Sequence, residues 1–217
     1  MISCQPNPEP RFAKVVSSAE VEVRDGPTAA EIETPTQVVV LGTGTPIPDA
    51  YRAGPSIAVV HKGQAYLFDI GAGAIRNATV ARYMYDIPSL YPSQICCLFL
   101  THLHSDHTTD YPELVATLWW RRQAPFSAWG PKGLIQMTNS MYEMMAQDIA
   151  LRQAGTGPVD VRDSYKVDVT EIDDGVVFER DGMRIEAFSV NHGAIKPAFG
   201  YRITTADKRI VISGDTA

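Results

Sequence analysis

Thr101-His-Leu-His-Ser-Asp-His107 is the stretch of this chain best furnished for chemistry. It sets three imidazoles and a carboxylate within six residues, using three of the five histidines in the sequence. On extended backbone alternate side chains leave in one direction, so His102 and His104 can grip one cation together. Asp106 and His107 then face a second position beside it. Imidazole nitrogen with carboxylate oxygen is a borderline donor set, suited to zinc and to similar divalent ions such as manganese or iron. A single loop rarely completes a metal site, so further donors must come from elsewhere. Two residues stand in matching places, His192 after a strand expected over 183–190 and Asp215 after one expected over 209–213. The histidine loop itself leaves an apolar strand, Ile95 to Leu100. All three therefore follow the C-terminal ends of strands, where side chains from different strands of an α/β protein can converge on one ligand.

The elements that must hold these residues in place follow from apolar patterning. Gln37 to Leu41 reads as a buried strand, followed by the turn-rich run Gly42 to Pro48. Ser56 to His61 and Ala65 to Ile70 read as two strands joined by a hairpin at 62–64. Gly71-Ala-Gly73 opens a helix to about Tyr85. A further helix is expected from Asp110, with Glu113 completing a capping box and Pro112 tolerated in the first turn. Another covers roughly 132–153 and stops near Gly155. Its methionines, at 137, 141, 144 and 145, sit at the spacing of core packing. From Tyr165 onward the pattern is all strand: 165–172, 175–179, 183–190, 199–204 and 209–213. Residues 1–35 are rich in Pro, Glu, Ser and Ala without periodicity and read as a mobile leader, leaving 36–217 as one domain.

Composition narrows the range of partners. The chain has 217 residues and a formal net charge of -6, which does not favour broad electrostatic binding to nucleic acid or to an anionic membrane. No apolar run reaches the ~20 residues a membrane span needs. Met1 to Pro10 lacks the pattern of an export signal, so a cytoplasmic location is the default. Cys4 leaves open a periplasmic or lipid-anchored protein whose signal has been lost. Cys96 and Cys97 are neighbours in an apolar strand, so their side chains should leave opposite faces, with no disulfide framework expected. His61, in the hairpin away from the loops, reads as structural. Lys196 could meet an anionic substrate or be a solvated lysine, and Trp119, Trp120 and Trp129 could line a pocket or fill the core.

With these residues in view, the sequence resembles the metallo-β-lactamase superfamily, and within it the ribonuclease Z and arylsulfatase-like phosphodiesterase branch. The matching pieces, in order, are Leu41-Gly-Thr-Gly-Thr45, Phe68-Asp-Ile-Gly71, His102-x-His104-x-Asp106-His107, His192 followed by Gly200-Tyr-Arg202, and Ser213-Gly-Asp-Thr216. The resemblance implies an αββα sandwich, two mixed β-sheets with helices outside. It implies two divalent metal ions, zinc above all: His102, His104 and His192 on the first, Asp106 and His107 on the second, and Asp215 bridging them. Asp69 would steady the ligand loop from behind, although capping the following helix is an equal reading of it. Asp106 would orient or deprotonate the attacking water, a hydroxide shared by both cations.

Members of that branch continue well past the position of Asp215, supplying another histidine to the second metal and strands that complete the second sheet. The chain therefore reads as a C-terminally incomplete member whose second metal position needs water to fill it. An uncovered sheet face and a free edge also invite pairing with a second copy, a homodimer. The passage from Ala154 to Val159 leaves no room for a long tRNA-grasping arm. With the acidic balance, this favours a small phosphodiester or sulfate ester over tRNA. A tRNA 3′-end endonuclease and a catalytically dead metal-binding fragment are the alternatives.

Overall fold

The computed structural model describes residues 35–122, 126–155 and 163–216. Most of the expected leader, at 1–34, and most of the Ala154–Val159 passage lie outside the described residues. Pro35 is already in place, accepting a hydrogen bond from the Lys62 N–H (2.7 Å).

Two sheets stack face to face. The first has six strands in the order β1 (Thr36–Gly42), β2 (Ser56–His61), β3 (Gln64–Phe68), β4 (Cys97–Phe99), β5 (Phe126–Gly130) and β6 (Val167–Glu171). β1, β2 and β3 pair antiparallel, whereas β3 through β6 run parallel. The second sheet is a four-stranded antiparallel meander: β7 (Gly175–Arg180), β8 (Met183–Ser189), β9 (Phe199–Thr204) and β10 (Arg209–Ile212). Two mixed sheets were expected. The second is purely antiparallel among the described residues: short turns join β7 to β8 and β9 to β10, the longer 190–198 loop joins β8 to β9, and antiparallel neighbours need no crossover.

Alternation along the central strands builds two cores. Leu67, Leu98 and Ala128 face the helices, packing with Ile75 and Ala78 of α1 (Ala74–Met84) and Leu134 and Met141 of a later helix. Tyr66, Phe68, Cys97 and Phe99 face the other way, against Phe178, Ile185, Tyr201 and Ile203 of the second sheet. Phe99 is the centre of this layer, stacked on Phe68 (5.1 Å between centroids) and Trp129 (4.8 Å) and edge-on to Tyr201 (5.8 Å). Trp119 is 1% exposed, Trp120 lies under the Arg152 guanidinium and Trp129 stacks on Phe99, so all three tryptophans pack against protein groups.

Local differences from the sequence reading have physical causes. Asp106 and His107 sit on a one-turn helix, α2 (Ser105–Thr108), in place of extended loop. α3 (Tyr111–Ala116) starts where expected, but Asp110 makes no cap with its side chain. Its Oδ2 accepts from the Ile75 N–H (3.1 Å), which ties α3 to the start of α1. The single helix expected over 132–153 is two, α4 (Leu134–Met144) and α5 (Ala146–Gly155). No glycine or proline announces this break. Tertiary contact decides it: α4 is held along β6 by the Val167 N–H on Tyr142 Oη (2.7 Å), and the backbone turns out of the helix at Met145 (φ −97°, ψ 7°). The five-residue strand β5 mixes Phe126 and Trp129 with Ser, Ala and Gly, too short and too mixed a run to give a strand signal of its own. The adjacent cysteines are also a correction: Cys96 and Cys97 are disulfide-bonded to each other, and both lie on the side of the second core. Strict alternation fails because the strand begins only at Cys97.

Candidate metal centre

Four strand ends meet at one edge of the sandwich. β3 delivers Asp69, β4 delivers Thr101 and the histidine loop, and the second sheet delivers His192 after β8 and Asp215 after β10. The junction is sewn by backbone. The Asp69 N–H binds Phe99 O (2.9 Å), the Ile70 N–H binds His107 O (2.8 Å), and the Phe199 N–H crosses between sheets to Thr101 O (2.9 Å). Tyr201, fully buried, donates its hydroxyl to Leu100 O (2.6 Å), one residue before the loop. Two glycines permit the close approach. A Cβ on Gly71 would lie 2.2 Å from the Asp106 carbonyl, and one on Gly214 would lie 2.8 Å from Thr101 Cβ.

Imidazoles crowd the centre. His104 Nδ1 lies 3.0 Å from His102 Nε2 and 3.2 Å from His192 Nε2, and these three atoms form one candidate ligand set. A second set joins His102, His107 and Asp215, so His102 belongs to both. Asp215 reaches across, with Oδ1 3.4 Å from His107 Nε2 and Oδ2 4.0 Å from His192 Nε2. Asp106 falls outside both sets, its Oδ2 3.7 Å from His107 Nε2. The centre is closed behind and open in front: His102 is fully buried, while the Asp215 side chain is 47% exposed.

Asp69, with its backbone in the left-handed region (φ 57°), stands behind the loop. Its Oδ1 accepts the Thr101 N–H (2.8 Å), and its Oδ2 accepts both the Thr101 hydroxyl (2.8 Å) and His107 Nδ1–H (2.7 Å). It does not cap the following helix, which Gly73 precedes with no side-chain cap. Elsewhere, His61 bonds Thr36 Oγ1 (2.7 Å), remote from the cluster. Lys196 is exposed on the loop after His192 and lines a cleft with Ser189, Asn191 and Pro197.

Electrostatics differ between the two buried imidazoles. Burial, reinforced by neighbouring His107, pushes His102 down to about 4, against a partial upward pull from Asp215. For His107 burial also acts downward, but the Asp69 hydrogen bond and charge, with Asp215 and Asp106, outweigh it and raise its pKa. Divalent cations fit this donor set on the structure's own terms. With Nδ1–H committed to Asp69, His107 turns Nε2 inward, where it is buried without any hydrogen-bond partner. A cation supplies that partner and takes the place of the proton the carboxylates would otherwise hold there.

The residues that sequence reasoning passed over are Thr101 and Tyr201, which bond what lies behind the histidines. Tyr201 was visible only as part of a Gly-Tyr-Arg motif, and Thr101 only as the last residue of a strand.

Comparisons with known proteins agree with this architecture. The Beta-lactamase superfamily domain family matches residues 66–217. Ribonuclease Z of Mycobacterium sp. (strain KMS) is 34% identical over 183 residues, and that of Mycolicibacterium gilvum is 36% identical over 184. Each alignment covers 83% of this chain and 61% of the relative, so the chain spans about three fifths of the length of the curated relatives it matches. Among solved structures, the short form of human tRNase Z superposes with a TM-score of 0.61 at 23% identity, covering 82% of this chain and 68% of that one. The metallo-beta-lactamase fold protein YhfI from Bacillus subtilis gives 0.61 at 15% identity, covering 84% and 63%. At these identities the structural likeness concerns the fold.

Proposed function

Because this chain belongs to the beta-lactamase superfamily, we propose that it carries the metal centre of a metal-dependent hydrolase that cleaves phosphodiester bonds in RNA. The single observation that supports a metal site most strongly is the buried, partnerless Nε2 of His107 beside three imidazole nitrogens and Asp215. In this reading His102, His104 and His192 would hold one divalent cation and His107 and Asp106 a second, with Asp215 within reach of both. When bound, such a cation pair lowers the pKa of water toward ~7 and offsets charge on a phosphoryl group. The protein's own part is positional. Asp69 holds His107 and Thr101 in place, and Asp106, 9% exposed at the floor of the centre, orients the attacking water and accepts its proton. Lys196, on the cleft beside His192, is placed to meet a substrate phosphate.

The expectation of a small ester in preference to tRNA gives way here. The curated relatives at 34–36% identity carry the name ribonuclease Z, which favours RNA. Most of the Ala154–Val159 passage, where a long arm was not expected, lies outside the described residues. A small phosphodiester or sulfate ester remains the second reading, favoured by the net charge of -6.

The test is turnover by the zinc-loaded chain on a 3′-extended tRNA precursor, a chromogenic aryl phosphodiester and an aryl sulfate. Cleavage of the precursor, lost in Asp106→Asn, is the expected result. Turnover of the aryl esters alone would favour the second reading. Full metal loading with no turnover on any substrate would contradict both and identify a chain that binds metal without hydrolysing these substrates.

A further inference from the structure

We infer that the Thr101 hydroxyl is a positioning group that locks the His102 ring in its Nδ1–H form, so that one carboxylate, Asp69, governs both halves of the metal centre. The inference follows from counting protons. Thr101 Oγ1 lies 2.8 Å from Asp69 Oδ2 and 3.0 Å from His102 Nδ1. A carboxylate only accepts, so the single hydroxyl proton goes to Asp69. The oxygen must then accept from His102, which places the ring proton on Nδ1 and leaves the Nε2 lone pair facing His104 and His192. The same Asp69 Oδ2 takes Nδ1–H of His107 directly (2.7 Å), leaving that ring's Nε2 bare as well. His107 is thus oriented by the carboxylate itself and His102 by the carboxylate acting through Thr101.

Burial makes the lock strict. Thr101 and His102 are both fully buried, so bulk water does not reach Nδ1–H to replace the hydroxyl as acceptor. Threonine also has a second task that serine could not share. Its methyl carbon would lie 3.0 Å from a Cβ on Gly214, so it packs against the turn that carries Asp215. Hydroxyl and methyl therefore separate cleanly in two variants: Thr101→Val keeps the shape and removes the oxygen, and Thr101→Ser does the reverse.

The consequence for metal binding rests on the hydrolase reading above, whereas the ring form does not, so two readouts are needed. Long-range proton–nitrogen correlation on the metal-free protein reports which His102 nitrogen carries the proton, and a competition titration with zinc reports affinity. Wild type and Thr101→Ser are expected to show a single Nδ1–H form, and Thr101→Val a mixture or the Nε2–H form. Zinc affinity of Thr101→Val is expected to fall ~10–100-fold, as is usual when a group supporting a ligand is removed, with Thr101→Ser retaining most of it. An Nε2–H ring in wild type, or a valine variant with the wild-type ring form and wild-type affinity, would overturn the inference. Should wild type bind no zinc at all, the hydrolase reading fails, and the ring form in wild type and the valine variant still decides the role of Thr101.

Discussion

Asp69 is where the chemistry of individual groups is most concentrated. One buried carboxylate satisfies a backbone N–H, a hydroxyl and an imidazole, so its loss strands three donors at once. Asp69→Ala is expected to destabilise the chain by ~3–5 kcal/mol, the usual cost of removing one partner from a buried pair, as read from urea unfolding. The histidines behind this network titrate in opposite senses. His102 is held at about 4 in the folded chain against 6.5 when free, so the unfolded chain takes up its proton first as pH drops. Stability of the metal-free protein from this group is therefore present above 6.5 and lost as pH falls from 6.5 toward 4, by up to about 3 kcal/mol. His107, raised by Asp69, opposes this: its contribution is present below its unfolded value and is lost as pH rises through the folded one. Urea midpoints across that window should fall further on acidification for wild type than for His102→Asn. Equal losses would show that His102 is not held neutral.

At the scale of elements, the centre depends on backbones that meet without side chains between them. Gly71→Ala would drive a methyl into the Asp106 carbonyl, and Gly214→Ala would meet Thr101 while also forcing alanine to a φ of +61°. Both are expected to lower the unfolding midpoint by the equivalent of ~1–3 kcal/mol and to weaken metal binding together with it. Unchanged metal affinity in Gly214→Ala would mean that the Asp215 turn is not seated against Thr101. This scale also shows what the sequence discloses. Strands β8 and β9 are plain in the chain because period-two alternation on a half-buried sheet writes itself into residue type, and the β2–β3 hairpin because two apolar runs flank a short turn. That His102, His104, His107, His192 and Asp215 come together was legible because histidines are scarce and three groups of candidate donors each follow a strand. Strand β5 and the break at Met145 leave no such trace, since both are set by neighbours: β5 by pairing with β4 and β6, and the break by α4 lying along β6. Asp110 looked like a cap because residue type reports only local options, and a helix 35 positions earlier in the chain claimed its carboxylate.

The described residues form two sheets pressed on a common aromatic layer, with the candidate metal centre at the edge where both sheets end. Phe99 joins these features, since its ring fills the layer and its carbonyl fixes Asp69. Phe99→Ala should cost ~3–5 kcal/mol of stability. Convergence of stretches far apart in the chain, 102–107, 192 and 215, is the feature on which a hydrolytic role depends. Its most direct test is the zinc content of the dialysed chain by mass spectrometry, in wild type and in His192→Ala. Tightly held zinc in wild type that disappears in the variant is the expected result. A wild type that retains none, or a His192→Ala chain that retains as much as wild type, would contradict a site assembled from both sheets.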